Sequence, residues 1–391
     1  MRIAVLGGMG LQGKAAIRDL AASAGVDQVI CADVDLSGWE AFARGVDSGK
    51  LTAVRLDAAS VSGVCEVIGR GVDAAVDLLP LPFMMNAFEA ALETRVPLVS
   101  TNYGYPVRPL HDRAAAAGVA LMPECGLDPG IDLVLCGHAV TEFDEVHVFN
   151  SYCGGFPEKK ACDNPLNYKI SWNWDMVLRS QKRDSVFLRE GRRVEVPAAM
   201  QHDPAFTGRI DFPGLGALEA VPNGDAVFYT DLLGITPFVR EAGRFALRWP
   251  GWCEFWRPLK ALGFLSDNPL PGPGRGITPH QFMVALLEPR LQYKDDEKDI
   301  VAMSNVFAGI KDGRPKSIVM NLVIERDLES GLLGMNIGVG CPASIAAQMI
   351  ARGEITATGV LNPAVDIPYH SFMAELSRRG IHVQKEVKTA G

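Results

Sequence analysis

The chain has 391 residues, 48% hydrophobic and 21% charged, with a formal net charge of −8. That length asks for two or three hydrophobic cores, and the composition excludes a disordered chain, a coiled coil and a disulfide-dense mini-domain. The acidic balance argues against nucleic acid and anionic lipid as partners, and no apolar run reaches the roughly 18 residues a membrane span needs.

The first apolar run, residues 2–6, leads into glycines and then into helical spacing over 14–24. Arg2 and Ala22-Ser23-Ala24 faintly resemble a secretion signal, but Lys14, Arg18 and Asp19 interrupt the apolar stretch, so a cytoplasmic location is expected. Short apolar runs at 29–32, 51–56, 74–79, 96–100 and 119–122 alternate with helix-like stretches such as 84–93 and 109–117. Strands apolar on both faces, separated by helices, predict a buried parallel sheet with crossover helices. The N-terminal part therefore reads as an α/β, doubly wound Rossmann domain.

After Asp128-Pro129-Gly130 the texture changes. Residues 144–152 alternate like a strand with one wet face, and loops rich in Gly, Pro and Trp follow to about residue 275. Runs at 300–307 and 317–324 flank Asp312-Gly313-Arg314-Pro315, which predicts an antiparallel hairpin. Helical spacing returns at 343–352 and 372–379. The expected division is a discontinuous dinucleotide-binding domain, 1–127 with 338–391, and an α+β substrate domain with a mixed sheet, 128–337. The eight cysteines include no Cys-x-x-Cys and the seven histidines no pair at four-residue spacing, so no metal is expected. Cys65, Cys136 and Cys253 read as buried thiols in a reducing compartment.

The strongest local motif is Gly8-Met9-Gly10-Leu11-Gln12-Gly13, placed after a strand and opening a helix. Its glycines suit a tight turn, close backbone approach to a pyrophosphate, and helix–sheet packing. The helix N-terminus offers free N–H groups to the anion. Asp33 follows about 20 residues on, at a strand end where a carboxylate accepts hydrogen bonds from an adenosine ribose. It would repel a 2′-phosphate, so NAD is expected over NADP. Asp57, Leu79 and Pro80 end later strands and are candidates to line the same crevice. Asp57 alternatively caps the following helix, and the prolines alternatively set a rigid turn.

The segments Pro123 to Asp132, Ser151-Tyr152-Cys153-Gly154-Gly155-Phe156-Pro157 and Asp163 to Trp172 concentrate polar, aromatic and Gly residues beyond structural need. With Pro222-Asn223-Gly224-Asp225, Leu247-Arg248-Trp249-Pro250-Gly251, Gly263 to Asp267, Glu297 to Val301 and the stretch from Gly338, they make the sequence resemble the saccharopine dehydrogenase (saccharopine reductase) family, including the lysine 6-dehydrogenases. The resemblance covers nearly the whole chain. It implies a Rossmann domain, a mixed-sheet substrate domain, a C-terminal return to the first domain, and a homodimer. It also implies oxidation of an amino-acid C–N bond through an imine that water hydrolyses. The long middle loops look closer to the saccharopine enzymes than to the lysine dehydrogenases. Two departures stand out. NADP-using members carry Arg where this chain has Asp33, and Asn173-Trp174-Asp175-Met176 replaces a stretch that is usually small or Pro-Arg-like.

The imine step needs a proton acceptor near neutral pH. Asp128, Cys153 and Tyr103 are the candidates. Asp128 alternatively caps a helix starting at Pro129, Cys153 is alternatively a small buried residue, and Tyr103 alternatively packs. A carboxylate-bearing substrate asks for a guanidinium. Arg248 fits, or stacks on Trp249 or Trp252 instead. Lys169, Asn223, Gly154 and Trp174 are further substrate-side candidates. Lys169 alternatively points into solvent, Pro-Asn-Gly-Asp alternatively only makes a turn, and Trp174 either narrows a pocket or stacks on substrate.

Overall fold

The computed structural model describes residues 1–46, 48–271 and 276–389. Its elements in chain order begin β1 (Arg2–Leu6), α1 (Leu11–Ala22), β2 (Gln28–Asp33), α2 (Trp39–Val46), β3 (Leu51–Arg55), α3 (Val61–Ile68), β4 (Ala74–Asp77), α4 (Met84–Thr94), β5 (Leu98–Ser100), α5 (His111–Ala117), β6 (Ala120–Met122) and α6 (Ile131–Val140). Next come β7 (Glu145–Pro157), α7 (Trp174–Ser180), β8 (Ser185–Arg189), β9 (Arg192–Val196), β10 (Gly208–Phe212), β11 (Gly216–Pro222), α8 (Ala226–Leu232), β12 (Glu241–Arg248), α9 (Trp252–Ala261), α10 (Pro279–Leu287), β13 (Asp299–Lys311) and β14 (Arg314–Glu325). The chain closes with α11 (Gly334–Ala351), β15 (Gly359–Val360), α12 (Pro363–Asp366), α13 (Tyr369–Arg378) and β16 (Val383–Thr389). Two compact units form, 1–138 with 336–382 and 139–335 with 383–391.

The first unit carries a parallel sheet in the order β15-β6-β5-β4-β1-β2-β3. Its central strands are buried on both faces, as their unbroken apolar runs require: Ile3, Val5, Ala75, Val76, Leu98 and Val99 are all fully inside. The chain order reverses between β1 and β4, which opens a crevice at the strand carboxyl ends. The returning segment is pinned on α1. A Cβ at Gly340 of α11 would lie 2.7 Å from the Ala16 nitrogen, so only glycine lets the helices approach this closely. Ser344 donates to Asp19 at 2.5 Å, and Arg379 pairs with the same carboxylate.

The second unit is a mixed sheet in the order β10-β11-β12-β7-β13-β14-β16, with β8 joining β12 to β9. The β13–β14 hairpin turns on Asp312 and Gly313, both at positive φ (51° and 72°), as a two-residue turn requires. Two expectations are corrected. The stretch expected as long loops up to residue 275 contains β8 to β12 and α7 to α9. Those strands are short, and left-handed glycines such as Gly191, Gly214, Gly216 and Gly224 separate them, so their composition resembles loop. The tail from 383, expected with the first unit, pairs instead as β16 with β14. Nearly all of β16 is exposed, so backbone hydrogen bonds hold it and no apolar pattern marks it.

Candidate functional site

In the first unit, Gly7 makes the turn after β1. Its φ is +76°, and a Cβ there would meet the Leu78 carbonyl oxygen at 2.8 Å. The motif reading had given this turn to Gly8, which instead packs on β2: a Cβ would lie 2.7 Å from Cys31 Sγ. At Gly13 a Cβ would lie 2.3 Å from the Gly7 oxygen, so α1 folds directly onto the loop. Gly10 is the N-cap of α1 and supplies no side-chain hydrogen bond. The Leu11 and Gln12 end of α1 thus presents N–H groups and the positive end of the helix dipole to an anion. Met9 N–H donates to Asp33 Oδ2 at 2.9 Å, which ties the loop to the end of β2. Asp33 Oδ1 accepts from Asp35 N–H at 3.2 Å. These residues fit a dinucleotide: a cradle that any Cβ would fill, an uncapped helix end, and a carboxylate at the end of β2.

The other strand ends complete the crevice. The Leu78–Leu79 backbone lies against Gly7, and Leu79 is nearly buried, its carbonyl accepting from Asn102 Nδ2 at 3.2 Å. Pro80 opens a short 3-10 turn over Leu81–Phe83. Asp57 does not cap α3. Ser60 does, accepting from Gly63 N–H at 3.1 Å, because Asp57 lies three residues too early and turns back to Ala59 N–H at 3.0 Å. Sequence reasoning missed Asp77, which ends β4 fully buried. It accepts from Ser100 Oγ at 2.8 Å and Leu79 N–H at 3.1 Å. Burial raises its pKa to about 6.

Asp128 is half-buried at the end of the segment after β6. It does not cap a helix at Pro129. Asp128–Pro129 is a cis peptide in a turn closed by Gly126 N–H on the Pro129 carbonyl, and α6 starts only at Ile131. Gly130 N–H donates to Asp132 at 2.8 Å. Glu124, in the segment the sequence singles out after β6, sits buried at φ 62°. It accepts from Gly104 N–H and Asn362 Nδ2, both at 3.1 Å. Tyr103 is half-buried with its ring 6.1 Å from that of Tyr105, so it is no core residue.

In the second unit the structure brings Cys153 and Arg248 together. They lie on adjacent strands β7 and β12, where Cys153 pairs with Ala246, two residues before Arg248. Arg248 is only 8% exposed. Burial pushes its pKa down. It stacks over Tyr168 and Trp252, 5.5 and 5.0 Å from their centroids. One Nη donates to the Leu247 carbonyl at 2.7 Å, and Nε has no partner. The guanidinium is therefore stacked on two rings, and no carboxylate of the described residues pairs with it.

The other substrate-side candidates each have structural partners of their own. Lys169 is not solvated; it is 2% exposed and pairs with Glu297 at 2.7 Å and Asp163 at 3.0 Å, so its charge is spent inside the protein. Trp174 is a core residue, packed near Tyr168 and Trp256. Gly154 is required by packing, since a Cβ would lie 2.1 Å from the Leu247 oxygen. Asn223 belongs to the turn: its N–H donates to the Arg244 carbonyl, Gly224 has φ +84°, and Asp225 caps α8 through Phe228 N–H. Two neighbours escaped the sequence reading. Lys260 Nζ donates to the Ala198 carbonyl at 2.6 Å and stands 3.2 Å from His202 Nδ1. The four-residue spacing of Trp252, Trp256 and Lys260 on α9 was the available signal.

A parallel sheet with its switch point beside a glycine-opened, uncapped helix has the architecture of a dinucleotide-binding fold, and a mixed-sheet unit accompanies it. Residues 3–122 match the model of the saccharopine dehydrogenase NADP binding domain, and 126–381 that of the saccharopine dehydrogenase C-terminal domain. The chain belongs to the saccharopine dehydrogenase family and is a saccharopine dehydrogenase-like amino-acid oxidoreductase. It is 28% identical to saccharopine dehydrogenase [NADP(+), L-glutamate-forming] of Saccharomyces cerevisiae, over 85% of this chain and 88% of that one. It is 22% identical to carboxyaminopropylagmatine dehydrogenase of Synechocystis, over 96% and 95%. Mouse alpha-aminoadipic semialdehyde synthase is 26% identical over 79% of this chain, which matches only 40% of that longer protein. The apo yeast saccharopine dehydrogenase (L-Glu forming) structure superposes with a TM-score of 0.86 at 25% identity, covering all of both chains.

Proposed function

We propose that this protein oxidises the C–N bond of a carboxylate-bearing secondary amine of the saccharopine type, using NAD in preference to NADP. The observation that carries the substrate reading is Arg248, a buried guanidinium that no carboxylate of the described residues pairs with. A buried cation is costly unless compensated, and a substrate carboxylate is the matching bidentate partner. The dinucleotide, held by Gly7, Gly8, Gly10, Gly13 and the α1 N-terminus, supplies the hydride acceptor when bound. The NAD preference rests on Asp33 and Asp35, two carboxylates at the end of β2 where a 2′-phosphate would be repelled. Asp128 takes the proton from the substrate nitrogen and then assists water in attacking the imine, with Tyr103 and Cys153 as further proton-handling candidates.

The eight cysteines are all free thiols, which suits a reducing cytoplasm. We propose a homodimer there, measurable by light scattering. The activity test is NADH or NADPH formation from saccharopine and from lysine. Faster turnover of saccharopine with NAD is expected. Turnover of lysine alone makes it a lysine 6-dehydrogenase, and turnover of neither despite tight dinucleotide binding removes the saccharopine reading.

A further inference from the structure

Two loops leave the carboxyl ends of the neighbouring strands β5 and β6, and one buried carboxylate joins them. The first loop carries Tyr103 and the second leads into Asp128. Their backbones extend the β5–β6 pairing: Cys125 N–H donates to the Ser100 carbonyl at 2.9 Å, and Glu124 N–H to the Asn102 carbonyl at 3.0 Å. They also pack closely. A Cβ at Gly104 would lie 3.0 Å from Pro123 Cγ, and one at Gly126 would lie 3.4 Å from Thr101 Cβ.

Glu124 stands in the left-handed region, at φ 62°, and is 1% exposed. Both features are unfavourable for a glutamate: its Cβ crowds the backbone there, and a carboxylate out of water needs hydrogen bonds. Such residues persist where the surrounding structure holds them, and they cluster at functional sites. Oε1 accepts from Gly104 N–H at 3.1 Å, inside the Tyr103 loop. Oε2 accepts from Asn362 Nδ2 at 3.1 Å, between β15 and α12. The Asn362 amide cannot turn round without loss, because its Oδ1 already accepts from Ala364 N–H at 2.9 Å. Both neighbours are therefore fixed donors. A side chain with two acceptor atoms satisfies them, which a carboxylate is and a carboxamide is not.

We propose that Glu124 is a positioning residue: its carboxylate clamps the Tyr103 loop to the segment that leads into Asp128, at the carboxyl end of the parallel sheet. A dinucleotide crevice opens at that end of such a sheet, so both side chains are set where the chemistry takes place. Glu124 acts through those two groups and not on the reacting bond. The role rests on the proton-handling reading of Tyr103 and Asp128 above.

A polarity swap tests it in the full-length protein, with circular dichroism and Tm to verify folding. Glu124→Gln turns an amide NH₂ toward one of the two donors. Asn362→Asp alone sets two carboxylates face to face. The double variant pairs a donor with an acceptor again, and its new carboxylate still accepts from Ala364 N–H. In Glu124→Gln, kcat for saccharopine oxidation is expected to fall about 10- to 100-fold with dinucleotide KM within about twofold, as a misplacement of about 1 Å costs that much. The double variant recovers most of the loss, and the pH profile keeps its shape. An unchanged kcat, a loss that the double variant does not recover, or a missing limb of the pH profile each overturns the proposal; the last makes Glu124 itself the proton carrier. A second arm needs no turnover. Peptides spanning 101–110 are expected to exchange amide hydrogen about tenfold faster in Glu124→Gln, and at the wild-type rate in the double variant. A wild type that oxidises neither saccharopine nor lysine, with exchange responding in this way, keeps the clamp and removes the activity reading. Exchange that ignores both variants overturns the clamp.

Discussion

The two units place their polar groups by opposite means. In the first, backbone does the work: four glycines bring main-chain N–H groups and a helix end to one place, and Asp33 ties that loop to the end of β2. In the second, side chains do it: Arg248 carries its charge into a Trp- and Tyr-rich core, and no carboxylate of the described residues pairs with it. Backbone sites cost little when empty because water reaches them. A buried cation without a counterion destabilises the empty protein, and this difference makes the two regions separable by mutation.

Arg248→Met gives the largest effect. Truncating one side of a buried charge pair costs about 2–5 kcal/mol, so kcat/KM for a carboxylate substrate should fall by about 30- to 5,000-fold, with dinucleotide KM unchanged. The same change should raise the Tm of the ligand-free protein, because an uncompensated charge leaves the core. A lowered Tm with unaltered kinetics would break the contrast and make Arg248 a structural residue.

Gly13→Ala should act on the first unit alone. Its methyl would enter the space 2.3 Å from the Gly7 oxygen. Overpacking of this kind costs about 1–3 kcal/mol, seen as a lower Tm together with weaker dinucleotide binding by fluorescence titration. Asp33→Ala should shift the NAD/NADP preference by about tenfold toward NADP, since one close charge in partial solvent is worth about 1–4 kcal/mol. An unchanged ratio would remove the ribose role and leave Asp33 as the anchor of Met9.

The smallest effect belongs to Asp77. Its folded pKa of about 6 exceeds the unfolded value, so the folded state binds more protons over the interval separating the two. Its contribution to stability is therefore greatest in acid and declines as pH rises to about 6. Asp77→Asn should flatten that slope in denaturant titrations at stepped pH, and an unaltered slope would show that Asp77 is ionised throughout.

By itself the sequence determined what depends on neighbours along the chain. The parallel sheet was legible because its strands, buried on both faces, are continuous apolar runs. The glycine motif was legible because turn, cradle and helix start fall within seven residues, although Gly7, not Gly8, takes the left-handed turn. The resemblance reached further, to the mixed sheet and the family. Tertiary structure alone decided which charges are spent. Lys169 meets Glu297 from 128 residues away, Glu219 turns to the start of α9, and Arg248 and Lys260 are left without an acid. It also decided that the charged, exposed tail joins the second sheet as β16. Charge pairing and edge-strand addition depend on which distant groups meet once the backbone is placed, and no local spacing encodes that meeting.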